Sequence, residues 1–65
     1  MIKNRLLQIR LSRGYKLQKD FAEFLGLSKK EYSLLENNKK SVSLGKALYI
    51  AKKLEMKVEE IWFIK

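Results

Sequence analysis

The chain has 65 residues, 46% hydrophobic and 34% charged, with 15 Lys and Arg against 7 Asp and Glu for a net charge of +8. That length predicts a single domain over 1–65 with a thin core, and without cysteine the core must come from well-packed helices, not from disulfides or thiolate metal sites. With no histidine or cysteine the commonest bases, nucleophiles and metal ligands are missing, so no enzyme, metal or cofactor is expected, while the excess positive charge favours a polyanion as partner.

The pattern predicts five helices joined without a linker, an all-α fold. Ile2, Leu6, Ile9 and Arg13 recur at helical spacing and place a first helix over Ile2–Arg13, ended by Gly14. Tyr15 and Leu17 are expected to cover the core across the following loop. A second helix is predicted over Leu17–Leu25, with Phe21, Ala22 and Leu25 inward and Phe24 widening that face. Ala22 falls where the second and third helices should approach most closely. Gly26 falls where a helix should end in the left-handed turn that glycine adopts at little cost. Leu27 then folds back on the core, and Ser28 caps a third helix, with Glu31 three residues on completing a capping box.

The third helix, Lys29–Asn37, divides on a wheel of about 100° per residue. Tyr32, Leu35 and Glu36 fall on one side; Lys29, Lys30, Ser33, Leu34 and Asn37 form an arc on the other, with Leu34 as its one exposed leucine. Lysines suit phosphates or guanine edges, Asn suits adenine, and Leu suits the thymine methyl. The helix start, with free N–H groups and the positive dipole end, suits a phosphate. Two short helices crossing at a tight turn, the second with such an arc, form the arrangement that commonly reads the major groove of DNA. Read blandly, the same residues are a helical hairpin with a solvated lysine face.

Asn38 is a good left-handed residue after the third helix, and Lys39–Ser41 form a basic loop. A fourth helix begins after the N-cap Ser43, with Leu44, Ala47, Leu48, Ala51 and Leu54 as its inward stripe. Gly45 weakens its first turn by roughly 1 kcal/mol relative to alanine. Met56-Lys57 is read as a turn, Val58–Ile61 as a short last helix, and Trp62-Phe63-Ile64-Lys65 as an extended apolar tail. Ile61–Ile64, the longest apolar run, is far too short to span a bilayer, and Met1–Arg13 holds no apolar block of secretory-signal length, so the cytoplasm is the expected compartment. Side-chain charge is +4 over residues 1–26, +2 over 27–40 and +2 over 41–65, so basicity supports nucleic acid without locating its site. Asp20 and Glu23 read as surface charges, Asp20 favouring the helix start, and Glu59 and Glu60 as a first-turn acidic pair, not as catalytic carboxylates. Gly14, Gly26 and Gly45 form no phosphate-cradling loop.

NRLLQIR at Asn4–Arg10, QKDFAEFLGLS at Gln18–Ser28, YSLLEN at Tyr32–Asn37, SLGKALYIAKKL at Ser43–Leu54 and VEEIW at Val58–Trp62, in this order, resemble the Cro/Xre-type helix-turn-helix proteins, the phage-repressor family. The likeness covers nearly the whole chain and is strongest to bacterial regulators that consist of the domain alone. It implies a compact five-helix domain with the motif at 18–37. It implies that Gln18 touches the DNA backbone, that Lys29, Lys30, Ser33 and Leu34 lie in the major groove, and that Asn37, Lys39 and Lys40 approach phosphates; Lys19 and Ser28, beside the helix starts, complete the expected contact set. It also implies a pair between Arg10 and Glu36, which is physically reasonable because a lone inward carboxylate is costly. Departures are a loop Gly14–Leu17 one residue longer than usual, Leu17 where a Ser or Thr cap is common, Asn38 for a frequent glycine, and Val42 for a frequent proline.

The leading expectation is a sequence-specific double-stranded DNA-binding regulator, a repressor, acting as a homodimer on a palindromic site, since one recognition helix covers only a few base pairs. Trp62 and Phe63, with Tyr49 and Ile50 as neighbours, are dimer-contact candidates; alternatively Trp62 and Phe63 cover the core. The competing reading is an antitoxin or protein-interaction module of the same fold, with a toxin or another regulator as partner. RNA binding lacks the aromatic platform or GXXG loop of single-strand readers.

Overall fold

The two ends of the chain pair with each other. In this computed structural model, which describes residues 1–65, β1 (Ile2–Asn4) runs antiparallel to β2 (Trp62–Ile64), with Ile2 opposite Ile64, Lys3 opposite Phe63 and Asn4 opposite Trp62. Between them lie α1 (Leu6–Ser12), α2 (Gln18–Leu25), α3 (Lys29–Glu36), α4 (Leu44–Leu54) and α5 (Val58–Ile61). The five expected helices are present, and the two-stranded ribbon makes all-α an approximation. No helix is long and apolar enough to cross a membrane.

The first expected helix is corrected at its start. Ile2 is exposed in a strand, and α1 begins only at Leu6, where the Asn4 Oδ1 accepts from the Leu6 N–H at 2.9 Å. Leu6 and Ile9 are buried as the spacing predicted; Arg13 instead sends Nη2 to the Leu54 carbonyl at 2.6 Å, satisfying an orphan acceptor at the end of α4. The tail is extended as read, and it is held because β1 supplies its hydrogen-bond partners.

Four helices end in the same device. Gly14, Gly26, Asn38 and Glu55 all have positive φ, and the next residue's N–H reaches back to Arg10, Ala22, Leu34 and Ala51 carbonyls, at 3.1, 2.8, 2.9 and 2.9 Å. This is the Schellman closure, in which a left-handed residue satisfies the last carbonyls of the helix. Ser28 and Ser43 cap α3 and α4 by accepting from the Glu31 and Lys46 N–H groups. Glu31 does not return the bond to Ser28; its carboxylate lies 3.4 Å from the Lys46 ammonium, joining α3 to α4.

The core joins all five helices: Leu6, Phe21, Leu25, Tyr32, Ile50, Leu54 and Ile61 are fully buried, with Ala22 and Ala47 packed among them. Phe21 and Tyr32 meet edge to face at 5.4 Å, and Tyr15 and Phe24 extend that aromatic cluster to the surface. The inward stripe expected for α4 is rotated. Leu44 and Leu48 are exposed, and Ala47, Ile50, Ala51 and Leu54 face the core. The helix has apolar residues around most of its circumference, so contact with α5 and the motif, not periodicity, selects the buried side.

Candidate nucleic-acid interface

α2 and α3 cross at Gly26, where φ is +75° and the Tyr49 hydroxyl lies so close that a Cβ on the glycine would stand 2.6 Å from it. Ala22 is buried at the crossing, as the spacing required. A side chain at Gly26 would collide with Tyr49 on α4, and one larger than alanine at Ala22 would have no room in the core.

α3 presents the two faces its sequence describes. Tyr32 and Leu35 are buried and the Glu36 side chain is 5% exposed, while Lys29, Lys30 and Asn37 are exposed. Ser33 and Leu34 are half-buried, so Leu34 offers an apolar edge and not the fully exposed side chain expected of it. The Asn37 Nδ2 donates to the Ser33 Oγ at 3.3 Å, which holds the amide along the helix surface with its oxygen free. Ser28, Lys19, Lys39 and Lys40 are also exposed.

Behind the arc is a buried polar cluster centred on Glu36. Its Oε1 accepts from the Arg10 Nε at 2.9 Å and the Tyr32 hydroxyl at 2.6 Å, and its Oε2 accepts from the Gln18 Nε2 at 2.7 Å. The Arg10 Nη1 also donates to the Tyr15 and Lys16 carbonyls, at 3.1 and 2.6 Å. One carboxylate therefore ties α1, the start of α2 and the end of α3 together, and no buried side-chain polar atom lacks a partner. Burial pushes the Glu36 carboxyl up, but hydrogen bonds from Arg10, Tyr32 and Gln18 outweigh it and hold the pKa below the ordinary value. Burial, reinforced by the bond to Glu36, raises the Tyr32 hydroxyl well above its ordinary range. The bond to Glu36 raises Arg10 despite burial.

Gln18 is thus half-buried and engaged with Glu36, and its second Nε2 hydrogen remains for another acceptor. Leu17, extended at φ −103°, gives α2 no side-chain cap, so the first amides of that helix have no side-chain acceptor and are suited to an anion. Through Gln18 and Glu36 the cluster sets the start of α2 beside the end of α3.

Two dimer candidates are corrected. Ile50 is fully buried and has no surface with which to touch another chain, and Trp62 is only 8% exposed, covering the core opposite Asn4. Phe63 is half-buried beneath the Arg5 guanidinium, 4.2 Å from its ring centre, and Tyr49 is 46% exposed. Tyr15 packs on the core as expected, while Leu17 is 55% exposed and does not cover it; Asn4 and Arg13 are organising residues that the spacing does not identify. Only the Asn before an apolar helix start, a cap signature, could have drawn attention to Asn4.

The sequence profile of the helix-turn-helix family matches residues 6–61, from the first residue of α1 to the last of α5. No curated protein matches the chain significantly.

Proposed function

The chain belongs to the Cro/C1-type helix-turn-helix family, a family of DNA-binding domains and not of enzymes, and from that premise we propose that it is a repressor that binds a palindromic operator as a homodimer. The observation that carries the reading is α3 itself: a helix held by a buried cluster at Glu36, with Lys29, Lys30, Ser33, Leu34 and Asn37 on its outward side. In this reading Ser33, Leu34 and Asn37 face base edges, while Lys29 and Lys30 reach phosphates or guanine edges. Gln18, Lys19, Ser28, Lys39 and Lys40 hold the backbone at either end of the helix. A second copy supplies the other half-site about one DNA turn away. Exposed Leu44, Leu48 and Tyr49 on α4, with exposed Ile2 and Ile64 and the half-buried Phe63 at the ribbon, are apolar surface available to it.

Selection of duplexes from a random pool tests this. A palindromic consensus is expected, bound by two chains. Lys30→Ala with Leu34→Ala should abolish the preference while circular dichroism stays unchanged. A double variant that still recovers the wild-type site would show that the outer face of α3 does not read it, and a stable complex with a co-expressed protein in place of duplex binding would favour the antitoxin reading.

A further inference from the structure

Asn4 joins the terminal ribbon to the end of the recognition helix. Its Nδ2 donates to the Leu35 carbonyl at 2.8 Å and to the Asn38 Oδ1 at 3.0 Å, using both amide hydrogens, while its Oδ1 accepts from the Leu6 N–H at 2.9 Å. Leu35 and Asn38 are the two ends of the left-handed turn that closes α3: the Asn38 N–H returns to the same Leu35 carbonyl at 3.1 Å, φ at Asn38 is +58°, and the Lys39 N–H follows to Leu34 at 2.9 Å. The direction in which Lys39 and Lys40 leave the helix is set at that turn.

Asn4 is itself held by the ribbon. It pairs with Trp62, and the next residue, Arg5, donates its N–H to the Ile61 carbonyl at 2.8 Å. Asn4, Asn38, Lys39, Lys40 and Trp62 line one open cleft, with the ribbon on one side and the basic loop on the other. A two-stranded ribbon alone is marginal in water, so its contacts to the body matter to both partners.

We propose that Asn4 is a positioning residue for DNA binding: through Leu35 and Asn38 it aims Lys39 and Lys40 at the phosphate backbone, making the paired chain ends part of the DNA-binding surface without touching DNA. This rests on the DNA-binding reading above. Asn4→Asp and Asn4→Ser each keep an oxygen for the Leu6 N–H, since both are good caps; the carboxylate has no donor for Leu35 and Asn38, and the shorter serine hydroxyl has at most one in place of the two amide hydrogens.

The probe is the duplex that the wild-type chain recovers from a random pool, titrated across salt concentrations at a temperature where circular dichroism shows the variants folded. Both variants should bind roughly tenfold more weakly, and the slope of log affinity against log salt should lose about 2 of its magnitude, the share of two phosphate contacts. Lys39→Ala with Lys40→Ala should lower affinity and slope in the wild-type background and add nothing in the Asn4→Asp background. A merely weakened fold would leave the full lysine effect in place. Absence of salt-dependent duplex binding by the wild-type chain overturns both readings. Wild-type binding with a folded Asn4 variant of equal affinity and slope, or an undiminished lysine effect in it, overturns this one alone. If neither variant folds, Asn4 is required for folding and the positioning role falls.

Discussion

The Tyr32 hydroxyl and the Arg10 guanidinium share one acceptor, the Glu36 Oε1, at 2.6 and 2.9 Å. A buried pair of this kind is weak evidence for net stabilisation, because desolvating two charges offsets their attraction, but removing one member strands the other. Glu36→Ala should therefore cost about 3 kcal/mol, the low end for a broken buried pair, since Arg10 keeps the Tyr15 and Lys16 carbonyls. Tyr32→Phe removes only a hydroxyl bonded to a charged acceptor and should cost about 1.5 kcal/mol. Denaturant titration distinguishes them; equal losses would mean that the charge on Glu36 contributes nothing beyond its bond to Tyr32.

The same cluster sets two pH limits of opposite sign. Glu36 is held below its ordinary pKa, so its contribution is present above the ordinary carboxylate value of about 4.3 and is lost as pH falls through the folded pKa. Tyr32 is raised, so its contribution is present below the ordinary phenol value of about 10 and declines as pH rises past it. The melting temperature should fall on both sides. Tyr32→Phe should lessen the alkaline fall and leave an acid one; an alkaline limb identical to wild type would place the loss in other groups.

Gly14 and Gly26 separate backbone strain from collision. Both have positive φ, +85° and +75°, but a Cβ at Gly14 meets nothing within 4 Å, while one at Gly26 meets the Tyr49 hydroxyl. Gly14→Ala should cost about 1–2 kcal/mol from the left-handed backbone alone. Gly26→Ala should cost more. Tyr49→Phe, which removes the colliding oxygen and leaves the ring carbon at an ordinary 3.8 Å, should return Gly26→Ala to the Gly14→Ala value. An excess that survives in the Tyr49→Phe background would show that the turn resists any side chain for another reason.

The parts of this fold that were legible in the sequence are those whose cause is local. Gly26, Ser28 and Ser43 mark helix ends by backbone conformation and capping, and the Tyr32–Leu35–Glu36 face follows from period alone. The ribbon was not legible: Ile2 continues the helical spacing of Leu6 and Ile9, and only pairing with Ile64 at the other end of the chain makes it a strand. The face of α4 was misread because Leu44 and Leu48 are as apolar as Ile50, and tertiary contact decides among them. In the candidate interface, Arg10 and Glu36 were paired through resemblance and by the cost of a lone inward carboxylate. The Gln18 and Tyr32 bonds to Glu36 depend on how α2 meets α3, which no spacing states.

Asn38 and Glu55 occupy the same left-handed position at the ends of α3 and α4, yet replacement by glycine should separate them. Glu55 is exposed, its φ of +57° strains a residue with a Cβ, and its carboxylate faces the negative end of the helix dipole. Glu55→Gly should stabilise by about 0.5–1 kcal/mol, the strain relieved less the extra freedom glycine gains in the unfolded chain. Asn tolerates the left-handed region, and the Asn38 Oδ1 accepts from Asn4, so Asn38→Gly relieves less strain and breaks a bond. It should leave stability unchanged or lower it. The midpoint of denaturant unfolding at constant slope measures both, and an equal gain at the two sites would mean that the Asn4–Asn38 bond adds nothing to the fold.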